Sequence, residues 1–194
     1  MMKHYDIIII GAGPGGIFAA YELQKLDPSL KTAVFEAGHS LAQRRCPIDG
    51  KQVKACVNCK TCSIMSGFGG AGAFSDGKYN ITNDFGGTLH EHIGRQQALD
   101  LMKYVDTINM THGGEGARLF STAQTKYKKI CMQNGLKLLD ASVRHLGTDR
   151  NVKILGRIFD YCKTKVESQF YTTISGVTRE DDGTFNVMTD KGDV

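Results

Sequence analysis

The pattern of apolar positions at the start of the chain predicts a strand, a helix and a second strand. Segment 5–10 is apolar apart from Asp6, which is typical of a buried parallel strand, and a glycine-rich turn follows it directly. Residues 14–26 place apolar side chains at helical spacing, and Pro28 marks the end of that helix. A second strand, with apolar residues at 33–35, is predicted over 31–36. Segment 1–37 therefore predicts one βαβ unit with a right-handed crossover.

The rest of the chain predicts three further segments. Segment 38–88 has no clean periodicity, is rich in cysteine and glycine, and is expected to be an ordered insertion. Segment 89–168 is predicted to be mainly helical, and segment 169–194 a β-meander. Within them the pattern predicts helices over 89–110, 116–134 and 149–165, and strands near 169–174, 176–180 and 184–189. The fold class is therefore α/β.

The turn after the first strand has the spacing G-x-G-x-x-G. Gly11 allows the tight turn, Gly13 lets backbone N–H groups approach a diphosphate, and Gly16 lets the helix pack closely on the strand. The helix N-terminus adds unpaired N–H donors. Glu36 ends the second strand, where its carboxylate can accept hydrogen bonds from ribose hydroxyls, which disfavours NADP. Strand, turn, helix and acid together predict a dinucleotide site.

Composition narrows the class of partner. The 194 residues are 41% hydrophobic and 23% charged, with a net charge of +4, as is ordinary for a soluble globular protein. The basic residues are scattered, and no apolar run approaches the roughly 20 residues that span a bilayer. We therefore expect a cytoplasmic protein that acts on a small molecule, without a nucleic-acid or membrane partner.

Four cysteines, Cys46, Cys56, Cys59 and Cys62, lie within 17 residues of one another. Four thiolates in reach of one point suit Zn²⁺ or an iron–sulfur cluster. A C-x-x-C pair is also typical of a redox dithiol. The third interpretation is reduced cysteines that only pack. The spacing leaves all three open.

Three parts of the chain together resemble a known family. They are Ile7–Gly16 with Glu36, the run Gly69–Lys78, and Arg144–Asp149. This combination is similar to the two-dinucleotide-binding-domain flavoproteins, and within them to the FAD-dependent dehydrogenases that use NAD or FAD. The resemblance implies a Rossmann-like FAD-binding domain, hydride transfer through the flavin, and NAD(P)H as a candidate electron donor.

The resemblance also implies roles for individual residues, although it names no catalytic residue. Glu36 would hold the ribose, and Arg45 would reach the phosphate region. The glycine run would lie near the flavin or its phosphates, and the strand at 171–174 would meet the adenine. The implied cofactor-binding residues are Gly11, Gly13, Pro14, Gly16, Glu36, Arg45, Gly70, Gly72 and Ile174.

The resemblance covers the front portion of the family's usual length. We therefore expect the chain to be an N-terminal portion of an FAD-binding domain. The strand that closes the cofactor site, and the substrate domain, would then come from a further segment or a partner chain. Two other interpretations stay open: a non-catalytic module that binds a nucleotide, and an NAD-dependent dehydrogenase.

Overall fold

The computed structural model describes residues 3–194, which form two compact units. The first unit combines the residues up to 74 with 155–194, and the second covers 75–154. Along the chain the strands and helices are β1 (Ile7–Ile10), α1 (Pro14–Leu26), β2 (Thr32–Glu36), β3 (Lys78–Ile81), α2 (Leu89–Ile93), α3 (Arg95–Asn109), β4 (Leu119–Ser121), α4 (Lys126–Gln133), β5 (Ser142–His145), α5 (Thr148–Cys162), β6 (Val166–Phe170), β7 (Ile174–Arg179) and β8 (Phe185–Thr189). The fold is thus mixed α/β.

The first unit is built on a parallel sheet with the strand order β1-β2-β6. Ile7 lies opposite Thr32, and Thr32 lies opposite Val166. All five residues of β2 are buried because this strand lies in the middle of the sheet. Helix α1 connects β1 to β2 and runs between the bounds that the apolar pattern predicts. The carboxyl ends of β1 and β2 therefore share one edge, where parallel sheets bind ligands.

An aromatic cluster anchors the irregular segment of the first unit to its core. The rings of Phe68 and Phe159 lie 4.8 Å apart, and that of Phe170 lies 6.3 Å from Phe68 and 5.7 Å from Phe159. These edge-on contacts join the segment before the glycine run to α5 and β6. The glycine run therefore starts from a fixed point in the core.

The last strands differ from the predicted meander. Strand β6 ends at Phe170 and belongs to the parallel sheet, while β7 and β8 form an antiparallel hairpin. Between β6 and β7, Tyr171 has φ +53°, a left-handed conformation that interrupts the strand predicted over 169–174. The pattern alone does not reveal this break, because tyrosine is otherwise a favoured strand residue.

The second unit holds an antiparallel sheet with the strand order β3-β5-β4. Strands β4 and β5 lie within the segment predicted to be mainly helical, and Gly94 at φ +84° divides the helix predicted over 89–110 into α2 and α3. A buried ion pair joins α3 to β5. Arg144 donates to both carboxylate oxygens of Asp106, at 2.6 Å and 2.8 Å, and this bond raises the arginine pKa.

Across residues 3–194, the helices are too short or too polar for any of them to traverse a bilayer.

Candidate functional site

The turn between β1 and α1 is fixed by glycine at both of its ends. Gly11 has φ +96°, which favours glycine, and its N–H donates to the Phe35 carbonyl at 2.7 Å. Gly16 packs so tightly that a Cβ there would lie 1.9 Å from the Gly11 carbonyl oxygen. Helix and strand therefore approach each other at a distance that only glycine permits.

The outer face of this turn is open and offers hydrogen-bond donors. A Cβ built on Gly13 or Gly15 would meet no atom within 4 Å. Among the described residues no side chain caps the start of α1, and its first turn carries no acid. The N–H groups of that turn, at the positive end of the helix dipole, form a donor set suited to a diphosphate. The residues present therefore fit the dinucleotide that the motif predicts.

The second glycine run lies directly against this turn. The Gly69 N–H donates to the Ala12 carbonyl at 2.8 Å. Gly70 begins a turn of 3-10 helix over Gly70–Phe74, and a Cβ on it would lie 3.4 Å from the Gly13 Cα. Gly72 lies in the same turn and faces open space. The structure thus brings together two glycine segments that are 57 positions apart at Gly13 and Gly70.

Glu36 organises the backbone around the site. Its Oε2 accepts the Ala12 N–H at 2.7 Å, and its Oε1 accepts the N–H groups of Gly38 at 2.8 Å and Gly67 at 2.9 Å. The residue is only 8% exposed. A carboxylate offers about four acceptor positions, so one remains on Oε2. The carboxylate therefore holds three loops together and keeps one lone pair for a further donor.

We expect Glu36→Gln to destabilise the first unit by about 2 kcal/mol, because an amide has one accepting oxygen. In either orientation its NH₂ faces a backbone N–H and leaves that donor unpaired. Urea unfolding followed by far-UV circular dichroism measures the effect. Glu180→Gln is the matched control, since Glu180 is exposed and its carboxylate accepts from the Thr178 hydroxyl at 3.2 Å, a contact that the glutamine oxygen can replace. Equal midpoints for the two variants would contradict this role of Glu36.

Arg44 stabilises the backbone around the site, although the sequence pattern does not distinguish it from other arginines. It is 4% exposed, and its guanidinium lies 4.7 Å from the centre of the Phe74 ring. Burial lowers its pKa, and the nearby Glu36 opposes that shift. Its four hydrogen bonds, of 2.7 to 2.8 Å, go to the carbonyls of Ser63, Ile64, Phe68 and Gly70. Arg44 therefore fixes the glycine run beside the nucleotide turn.

The other predicted residues occupy different surroundings. Arg45, the residue proposed for the phosphate region, is exposed. Ile174 begins β7 and pairs with Thr189, so it belongs to the hairpin. Two residues earlier the Thr172 N–H donates to the Glu36 carbonyl at 2.9 Å, which places this part of the chain beside the end of β2.

The cysteine segment gives no support to a metal centre, which was one interpretation of its spacing. The four cysteines are free and exposed. Within residues 3–194 no group of three or more His, Cys, Asp or Glu side chains is arranged to hold a metal ion. The four residues do line one common cavity of about 230 Å³. The irregular backbone of this segment brings the thiols to one cavity without gathering three of them at a single point.

Comparison with known proteins identifies solved structures with a similar fold. No protein-family model matches the chain, and no curated protein matches it. Glycine oxidase from Geobacillus kaustophilus shares 15% identity at a TM-score of 0.50, over 97% of this chain and 52% of that one. L-amino acid deaminase from Proteus vulgaris matches at 14% identity and a TM-score of 0.46, over 100% and 46%. A probable FAD-dependent monooxygenase from Pseudomonas aeruginosa matches at 14% and 0.44, over 98% and 39%.

The glycine oxidase match establishes a shared fold. The chain spans about half the length of that enzyme.

Proposed function

We propose that the chain is the FAD-binding part of a flavin-dependent oxidoreductase. The observation that carries the proposal is the open donor set at the start of α1, enclosed on one side by Gly70 and braced by Glu36 and Arg44. A dinucleotide diphosphate fits this arrangement in charge and in hydrogen bonding. The resemblance to FAD-dependent dehydrogenases favours FAD as that dinucleotide, and the fold shared with glycine oxidase is compatible with this choice.

The residues around the turn would contribute to cofactor binding in different ways. The N–H groups of the first turn of α1 bind the diphosphate, and Gly13 leaves room for it. The free lone pair on Glu36 Oε2 accepts a ribose hydroxyl. Gly70 and Gly72 let the cofactor approach the backbone, while Arg45 extends to the phosphate region and Ile174 contacts the adenine. Bound FAD would supply the hydride-accepting chemistry, with NAD(P)H as the proposed donor.

We expect Gly13→Ala to lower FAD affinity by about tenfold or more, because the added methyl occupies open space where a diphosphate would lie, and to cost no more than about 1 kcal/mol of stability, because Gly13 is the N-cap of α1. Titration calorimetry with FAD measures affinity, and urea unfolding measures stability. Gly156→Ala in α5 is the control, since its Cβ would make only a 3.8 Å contact with Leu41. Wild-type affinity in Gly13→Ala would contradict the proposed site.

The choice between FAD and NAD is tested on the wild-type chain. We expect it to take up FAD from solution, to become yellow, and to lose its visible flavin absorbance under anaerobic NADH or NADPH. A chain that binds NAD and not FAD would support the NAD-dependent dehydrogenase. A chain that binds FAD but is not reduced by either donor would support a nucleotide-binding module or a different electron donor.

A further inference from the structure

The four cysteines of 46–62 share one cavity that the nucleotide site does not use. Its volume is about 230 Å³, and Pro47, Ile48 and Val57 supply the apolar part of its wall. All four cysteines are free and exposed. Thiols that line one solvent-open cavity are accessible to a small sulfur compound.

Cys62 differs from the other thiols in the groups that face it. The nearby backbone N–H groups of Met65 and Ile64 lower the pKa of the Cys62 thiol, and the Arg44 guanidinium adds a favourable charge. Burial, in contrast, raises the pKa of the Cys162 thiol to about 11, which keeps it protonated and unreactive. The environment of Cys62 thus favours the thiolate, which is the nucleophilic form.

Cys59 is placed to act with Cys62. The two residues are separated by two others, the spacing of dithiols that form short disulfide rings. Both line the same cavity. The turn that follows Cys62 is closed by the Ser66 N–H donating to the Cys62 carbonyl at 2.8 Å, whereas Cys59 precedes that turn in irregular chain. The backbone at Cys62 is therefore held by the turn, whereas in the described chain the backbone at Cys59 has no such hydrogen-bonded turn around it.

We propose that this cavity is a thiol–disulfide exchange site in which Cys62 is the attacking thiolate and Cys59 the resolving thiol. The substrate class is a low-molecular-weight disulfide. The Cys62 sulfur attacks one substrate sulfur, the S–S bond breaks, and the first thiolate leaves with the electron pair and takes up a proton. The Cys59 thiolate then attacks Cys62, and the second substrate thiol leaves. The protein loses two electrons and two protons, and the disulfide becomes two thiols.

The first test compares the reactivity of the cysteines in the reduced 194-residue chain. Limiting iodoacetamide at neutral pH is followed by peptide mass spectrometry, which quantifies alkylation at each position. We expect Cys62 to react about five to ten times faster than Cys46 and Cys56. Equal rates at the exposed cysteines would overturn the assignment of Cys62 as the nucleophile.

The second test uses glutathione disulfide as the substrate probe. We expect the wild-type chain to form a Cys59–Cys62 disulfide with release of two equivalents of glutathione, and Cys62→Ser to release at least about tenfold less in the same time. Cys62 is exposed, so serine should leave the fold intact, and circular dichroism checks this. Cys131→Ser, outside the cavity, is the control and should behave as wild type. Unchanged release from Cys62→Ser, or a disulfide that excludes Cys62, would overturn the proposal.

Discussion

Replacing Gly16 with alanine is expected to destabilise the first unit by about 4 kcal/mol or more, the range reserved for severe core defects. The added Cβ would lie 1.9 Å from the Gly11 carbonyl oxygen, and 3.2 Å from the Ile9 side chain. The oxygen belongs to the backbone of the turn, so it cannot rotate away as a side chain would. Relief of the clash requires α1 to move off β1, which opens the contact that places the helix N-terminus beside the turn.

Gly15→Ala provides the matched control for this prediction. Gly15 is the neighbouring residue in the same helix, and a Cβ there would meet nothing within 4 Å. Alanine is favoured over glycine inside a helix by about 1 kcal/mol, so this variant should equal or exceed the wild type in stability. Urea unfolding gives the free energy, and hydrogen exchange over 7–36 shows whether the loss is local. Similar unfolding midpoints for the Gly16 and Gly15 variants would contradict the close packing of α1 on β1.

The contrast between Gly15 and Gly16 shows how much of the site the sequence predicts. The G-x-G-x-x-G spacing assigns the close helix–strand contact to Gly16, and the structure has that contact. The motif also places the helix start, and α1 begins at Pro14. Both features depend on neighbours a few residues away, so local sequence determines them.

Features that depend on contacts between residues far apart along the chain are harder to predict from the sequence. Glu36 accepts hydrogen bonds from Gly67, 31 positions away, and no periodicity reveals such a partner. The same holds for the short strands β3 and β5, whose four residues each mix polar and apolar side chains and pair across more than 60 positions. Strand formation there depends on the partner more than on intrinsic preference.

Arg44 and Arg45 show most clearly what local sequence cannot predict, because two identical side chains follow one another and only one is buried. The family resemblance implies a place for Arg45 near the phosphates, whereas the structure buries Arg44 against four carbonyls. Composition, charge and local pattern are the same for both residues. Only the path of the chain from 63 to 70 decides which guanidinium is enclosed.

We expect Arg44→Met to destabilise the first unit by about 3 kcal/mol, since it removes the four guanidinium hydrogen bonds to these carbonyls while keeping a long side chain. Hydrogen exchange should rise over 62–74, where the carbonyls lose their partner. Arg45→Met is the control, and as a surface change it should alter stability by no more than about 0.5 kcal/mol. Equal unfolding free energies for the two variants would contradict the bracing role of Arg44.

The same two variants separate bracing from direct binding in FAD titrations. Arg44 holds the Gly70 carbonyl, and a Cβ on Gly70 would lie 3.4 Å from the Gly13 Cα, so its loss should weaken FAD binding together with stability. If Arg45 contacts the phosphates as proposed, Arg45→Met should weaken FAD binding alone, and more steeply at low salt, where the lost charge is least screened. Arg45→Met with wild-type affinity at every salt concentration would remove Arg45 from the site and leave the helix N-terminus as the phosphate-binding element.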